Sequence, residues 1–317
     1  MTDVMTVTGP VPSEALGITL THEHLFMDVV GGGPSRDRQT RNHMLNDPEL
    51  AYRELMRFEA VGGATVIDLT SGGMKVSEQL LGAQHPLAVR DLAVRTGLNI
   101  AMGTGWYTEA YYDERLYRMS ADDIADELVR DINDGIEGTD VRAGVLGEIG
   151  SGATWITPAE ERLLRAAARA HRQTGVTIAT HTAGWKVGLH QLDILEEEGV
   201  DPRRVIIGHC HSHPDHEYHA EIARRGAFVS FDRLGTINGY EREIDFALVR
   251  QMIDADGTAH LLLSHNVSLR EDYVAYGGKG YEYLPAALQT DPDLPLTEEQ
   301  FRQVMVDNPR RALTGEE

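Results

Sequence analysis

Gly17-Ile-Thr-Leu-Thr-His22-Glu-His24 is an apolar run that ends in two histidines one residue apart. On an extended strand, side chains alternate between faces, so His22 and His24 point the same way. Two imidazoles on one side of a strand end make a metal-binding pair. The plain alternative is two polar residues capping a strand. The chain repeats the device. Short apolar runs end in a single ligand-type residue at Glu148, at His181, at His209 and at the His265-Asn266 pair.

Working outward, β-branched runs at 18–21, 65–69, 99–103, 143–146, 176–180, 205–207, 227–231 and 261–264 alternate with helical segments of about 12 to 18 residues. The helices carry readable ends. Asp47-Pro48-Glu49 opens one and Gly62-Gly63 closes it, Ser120 opens another, and Thr157-Pro-Ala-Glu160 is a capping box closed by Gly175. His213-Pro214 starts a helix that ends before Gly226, and Thr297-Glu-Glu-Gln300 caps the last. Eight strands alternating with eight helices predict a (β/α)8 TIM barrel over residues 1–317 as one domain. A doubly wound open sheet is the competing fold. It would want Gly-x-Gly-x-x-Gly after the first strand, which is missing. The ligand-type residues also end many different strands, which is where a barrel collects its site. Long loops after strands 1 (31–46) and 8 (268–295) are expected to cover the mouth.

Composition narrows the function classes. The formal net charge of -21 argues against a nucleic-acid partner, whose phosphates need a basic face. No apolar run reaches the ~18 residues that span a bilayer. One cysteine, Cys210, excludes an intramolecular disulfide. No signal peptide is visible, so the expected location is cytoplasmic. A small-molecule substrate is the expected partner, and a homodimer is the base-rate expectation.

Four histidines and a carboxylate converging on one mouth suit two divalent metals, with Glu148 bridging them. Asp232 and Arg233 end strand 7. They read either as a buried ion pair or with Arg233 facing the mouth to grip a substrate oxygen. Trp106 and Tyr107 after strand 3, Trp185 after strand 5 and Tyr273 after strand 8 are candidate pocket aromatics. The chain's three lysines, Lys75, Lys186 and Lys279, all follow strands, with Arg270 nearby, which suggests a positive funnel for an anionic substrate. Among the other histidines, His211 follows His209 at strand spacing and could approach substrate. His213 reads as a helix cap, His216 and His219 as exposed helix, and His265 as orienting its neighbour. His43, His85, His171, His190 and His260 read as structural.

The combination of Thr21-His-Glu-His24, Ala143-Gly-Val-Leu-Gly-Glu-Ile-Gly150, Thr180-His-Thr182, Gly208-His209 and Phe231-Asp-Arg233, running on to Asn308-Pro-Arg-Arg311, resembles the phosphotriesterase-related branch of the amidohydrolase superfamily. The resemblance implies a (β/α)8 barrel with two divalent metal ions, usually zinc. Manganese, iron or cobalt suit the same ligands. It also implies hydrolysis of lactones, esters, amides or organophosphates. His22 and His24 would hold the more buried metal, His181 and His209 the more exposed one, and a strand 4 residue would bridge. Many members carry a carbamylated lysine there; this strand has none, so Glu148 would be the bridge. The family has aspartate where this chain has Asn266. That aspartate would ligate the buried metal and accept a proton from the bridging hydroxide, and an amide oxygen cannot take that proton. The expectation is a hydrolase acting through a metal-bridging hydroxide and impaired by Asn266, whether that residue was introduced or is natural. The alternatives are a phosphoester hydrolase and a non-catalytic metal-dependent binding protein.

Overall fold

The alternating pattern becomes eight parallel strands. The computed structural model describes residues 3–29, 42, 44–182, 185–236, 242–255, 257–294 and 296–316. Its barrel strands are β1 (Ile18–Glu23), β2 (Gly63–Asp68), β3 (Asn99–Thr104), β4 (Val145–Gly150), β5 (Ile178–His181), β6 (Val205–Ile207), β7 (Phe228–Phe231) and β8 (Leu261–Leu263). They form one sheet in sequential order from β1 to β8. Each adjacent pair from β1·β2 to β7·β8 is parallel. The longer helices between them are α1 (Pro48–Ala60), α2 (His85–Thr96), α3 (Ala121–Asn133), α4 (Pro158–Thr174), α5 (Gly188–Glu197), α6 (His216–Arg224) and α7 (Arg242–Asp254). After β8 come α8 (Tyr283–Thr290), α9 (Glu298–Arg302) and α10 (Asn308–Thr314).

Local chemistry explains the helix ends. The Asp47 side chain accepts from the Glu49 and Leu50 amides at the start of α1. Reciprocal capping boxes open α3 (Ser120/Asp123), α4 (Thr157/Glu160) and α9 (Thr297/Gln300). Gly175 ends α4 in the left-handed conformation. One start differs from expectation. α6 begins at His216 with Asp215 as its cap, because the Asp215 carboxylate accepts the Tyr218 amide, and His213 lies outside.

The barrel interior is filled by Ile67, Leu69, Val145, Ala179, Ile206, Phe228 and Leu262, all buried. Val4 from an N-terminal hairpin (Asp3–Thr6 with Gly9–Pro12), Leu16, and Ala312 and Leu313 of α10 join that cluster. Thr177, just before β5, donates its hydroxyl to the Ala312 carbonyl. Both ends of the chain therefore stop the N-terminal end of the barrel and leave the opposite end for the site.

Among the described residues, no backbone ladder joins β8 back to β1. The seam is bridged by a side chain instead. The buried Glu23 carboxylate accepts the Ser264 hydroxyl (2.7 Å), the His265 amide (2.8 Å) and the Val267 amide (2.8 Å). Ser264 Oγ in turn accepts the His22 amide, and the Asn266 amide donates to the His22 carbonyl. Burial pushes the Glu23 carboxyl up to about 7, against the pull of these donors.

The two mouth loops are only partly described. Residues 30–41 and 43, including His43, lie outside the described residues, so the expected cover after strand 1 is not addressed there. The loop after β8 is less irregular than expected. It holds two short 3-10 turns (Arg270–Asp272 and Val274–Tyr276) and α8. Arg270 ties the two loops together through the Met44 carbonyl and the Asn46 side chain.

Candidate metal centre

Four strand ends bring the ligand-type residues together. Strand alternation puts His22 and His24 on one face of β1, with Glu23 turned to the seam. β4 runs further than expected, to Gly150, because Ile149 and Gly150 still pair with Thr180 and His181 of β5. Glu148 is thus held inside a strand between both neighbours. Gly208 precedes His209 for a steric reason: a Cβ there would lie 2.2 Å from the Thr180 carbonyl oxygen, so only glycine lets β6 bring His209 beside His181. His209 and Asn266 adopt left-handed backbone at φ 58° and 49°, which side chains other than glycine rarely occupy.

The donor atoms converge. Glu148 Oε1 is hydrogen-bonded to His181 Nδ1 and lies 3.1 Å from His209 Nε2 and 3.5 Å from His22 Nε2. Glu148 Oε2 lies 4.0 Å from His24 Nε2. His181 Nδ1 and His209 Nε2 face each other at 2.7 Å. The sets His22/His24/Glu148 and Glu148/His181/His209 each offer ligand atoms within 4.8 Å of one another. All five side chains are buried.

The outer edges of the rings have their own partners. Thr70 donates its hydroxyl to Asp68 (2.6 Å) and therefore accepts from His24 Nδ1 (3.0 Å), which leaves the His24 Nε2 lone pair facing inward. His181 is reversed: its Nδ1 faces inward, and its Nε2 meets the Tyr107 hydroxyl at 3.3 Å.

Electrostatics favour a cation. Burial works against ionising Glu148, yet His181 and His22 hold its carboxyl well below the usual range. Asp232 is held well below its ordinary value in the same way, by His209 and His22 against burial. Burial lowers His24 to about 3 and His181 to about 4, so both rings are neutral near pH 7 and able to ligate. Two buried acceptors in this cluster, His22 Nε2 and Asn266 Oδ1, have no hydrogen-bond partner. Orphaned lone pairs beside a carboxylate and two opposed ring nitrogens fit a pair of divalent cations, and soft thiolate is absent from the set.

A cavity of about 210 Å³ opens on this cluster. His24, Glu148, His181, Asn266, Tyr107 and Arg233 line it, with apolar side chains such as Val29, Met74 and Leu269. Of the two readings of strand 7, the buried Asp232–Arg233 pair fails: Arg233 lines the cavity, while Asp232 bonds to His22 and His209. Sequence reasoning had given Asp232 no site role, although its place one residue after a strand is the same signal that marked the others.

Several expected mouth residues lie elsewhere. Tyr273 is 2 % exposed and packs against Tyr281, so it is core and does not line the cavity. Trp106 lines a separate polar cavity of about 470 Å³ beside the barrel, under the Arg115 guanidinium. Trp185 is 43 % exposed. The lysine funnel does not form. Lys75 pairs with Glu137, Lys186 with Asp215, and Lys279 sits 4.1 Å over the Tyr283 ring. Each long side chain found a partner, a pairing that position after a strand does not reveal. His211 is fully buried behind Asp232, and His219, expected on an exposed face, is buried with Nε2 on the Cys210 carbonyl. His265 bonds the Leu234 carbonyl and the Leu284 amide, so it anchors α8 rather than the neighbouring Asn266 side chain.

The profile of the phosphotriesterase family matches residues 2–313, nearly the whole chain. The chain belongs to the phosphotriesterase family. Within that family it is 34% identical over 268 residues to the phosphotriesterase homology protein of Escherichia coli, covering 84% of this chain and 87% of that one. It is 26% identical over 354 residues to the N-acetyltaurine hydrolase of Danio rerio, covering 98% and 97% of the two chains. The lactonase structure from Listeria monocytogenes superposes with a TM-score of 0.87 at 26% identity, covering 100% of both. Phosphotriesterase-family membership agrees with the barrel, with the residues able to bind metal, and with the resemblance read from the strand-end motifs. Among the described residues, no helix is long and apolar enough to cross a membrane.

Proposed function

We propose that this chain is a binuclear metal-dependent hydrolase that opens a carboxylic ester, lactone or amide of a small molecule, with zinc as the metal. The observation that carries the reading is the convergence of four imidazole nitrogens on both oxygens of one buried carboxylate, beside a cavity. The lactonase and N-acetyltaurine hydrolase relatives support carbonyl chemistry over phosphoester chemistry. The metals would supply a nucleophilic hydroxide and polarise the substrate oxygen.

The chain's own residues would do the rest. His22 and His24 would hold one cation, His181 and His209 the other, and Glu148 would bridge. Tyr107 would fix the His181 ring and reach the substrate from the same wall. Arg233, half-buried in that wall, would bind a carbonyl or carboxylate oxygen. Asn266 would touch the buried cation through Oδ1, but it holds no proton acceptor at the place where proton transfer needs one. That makes the chain as it stands slow.

Elemental analysis followed by turnover of a lactone, ester, N-acyl amide and phosphotriester panel, for the protein and for Asn266→Asp, tests the reading. About two metals per chain and a gain of about 10²–10⁴ in kcat for the aspartate form are expected, the range for a positioned base. Metal with no turnover in either form, or turnover of phosphotriesters alone, would overturn it.

A further inference from the structure

Asp232 lies at the end of β7, 0 % exposed and outside the cavity lining. Its two oxygens are taken. Oδ1 lies 2.7 Å from His209 Nδ1, while Oδ2 accepts the His209 amide at 3.0 Å and lies 3.0 Å from His22 Nδ1. His211 Nδ1, 3.6 Å from Oδ1, accepts the Asp232 amide, so that nitrogen does not donate to the carboxylate. Two rings from different strands thus turn their Nδ1 edges toward one carboxylate and their Nε2 edges toward another, Glu148, at 3.5 Å and 3.1 Å.

An imidazole that donates from Nδ1 keeps its lone pair on Nε2. An ionised carboxylate has acceptor sites enough for both rings and the amide, and it has nothing to donate. The amide contact also supports His209 in its left-handed backbone. We propose that Asp232 is a positioning residue that takes the Nδ1–H groups of His22 and His209, turns both Nε2 atoms toward Glu148, and so couples the two metal positions through one side chain. This rests on the metal-centre reading above, in which His22 and His209 serve different cations.

The rival assignment is that Asp232 is itself a ligand, since His22, His209 and Asp232 also offer atoms within 4.8 Å of one another. The edges decide against it. A cation among those three would have to displace the protons on the Nδ1 atoms, and it would sit on the far side of both rings from Glu148 and from the cavity.

The experiment uses the full chain. Nitrogen-15 spectra of the metal-free protein, taken at a pH where the rings are neutral, report each histidine's tautomer without any substitution. A proton on Nδ1 is expected for both His22 and His209; a bare Nδ1 at either would overturn the proposal. In Asp232→Asn the amide keeps the shape but has one acceptor oxygen and donates from nitrogen. One ring is then expected to switch tautomer, and zinc affinity, read by competition with a chromophoric chelator, to fall about 10–100-fold at both positions. Loss confined to one position, with a changed cobalt(II) absorption spectrum at that position, would make Asp232 a ligand and sink the positioning role. Unchanged tautomers and affinities in Asp232→Asn would sink it too. If the unsubstituted protein takes up no zinc, the functional reading fails, and the tautomer spectra still judge Asp232 by themselves.

Discussion

At the scale of single residues, the cavity wall concentrates the recognition chemistry in Arg233. The lysines expected to form a funnel are engaged with Glu137, Asp215 and Tyr283. Arg233→Met should therefore raise KM for a carboxylate-bearing substrate about tenfold or more, the worth of one charge-assisted hydrogen bond. Lys186→Ala and Lys279→Ala should leave it within twofold. Steady-state kinetics on a matched pair of charged and neutral substrates separates the outcomes, and equal effects of all three substitutions would restore the funnel. Tyr107→Phe removes the hydroxyl 3.3 Å from His181 Nε2. It should weaken the more exposed metal position selectively, read as loss of one zinc before the other during chelator titration. The ligand-type residues were legible because each ends an apolar run, and His22 and His24 obey strand alternation. Asp232 ends a run in the same way, but its bonds to His22 and His209, like those of Glu23 to Ser264, His265 and Val267, join segments far apart in sequence and were not legible.

At the scale of elements, helix ends were the most readable feature, because a cap and its partner sit three residues apart. The start of α6 was misplaced because His213-Pro214 mimics a cap, whereas the carboxylate that takes the free amide is Asp215. Thr157→Ala should cost about 1 kcal/mol, the usual worth of an N-cap, with no change in metal content. The β1/β8 junction is the more demanding test. Glu23→Ala strips acceptors from the Ser264 hydroxyl and two buried amides, each worth about 1–3 kcal/mol when left unsatisfied. Urea denaturation should show a loss of several kcal/mol. Glu23→Gln, which keeps one acceptor oxygen, should lose less. A Glu23→Ala protein as stable as its parent would mean that the three bonds do not hold the seam.

For the whole molecule, burial sets the pH response. His24, His85 and His211 are lowered to about 3, and His181 and His265 to about 4, in each case first by burial. Unfolded histidine titrates near 6.5, so between these values the unfolded chain binds more protons than the native one, and stability is lost as pH falls. Glu23 acts in the opposite direction. Its raised value of about 7 means that the native state holds the extra proton between about 4.5 and 7, which adds stability as pH falls through that window. Asp68, pushed up to about 6 by burial, and His22, raised by Asp232 and Glu148 against burial, act the same way as Glu23. Five histidines outweigh these three groups. The metal-free protein should therefore lose denaturation midpoint steadily from about pH 6.5 to 4, measured by chemical denaturation at fixed ionic strength. A flat profile would contradict the buried, neutral histidines. The barrel architecture was legible from the count and rhythm of strands. Which loop chains would pair across the mouth was not, since those contacts depend on backbone paths that carry no periodic signal.

Because β1 and β8 are fastened by a carboxylate rather than by a ladder, the barrel is a belt with a buckle, and the buckle is threaded between two of the proposed ligands. Loosening it would spread His22 and His24 away from Asn266 while the other seven strand pairings stayed intact. Heat should therefore cost the protein its cations before it costs the protein its fold, and amide exchange should quicken first at 22–24 and 264–267.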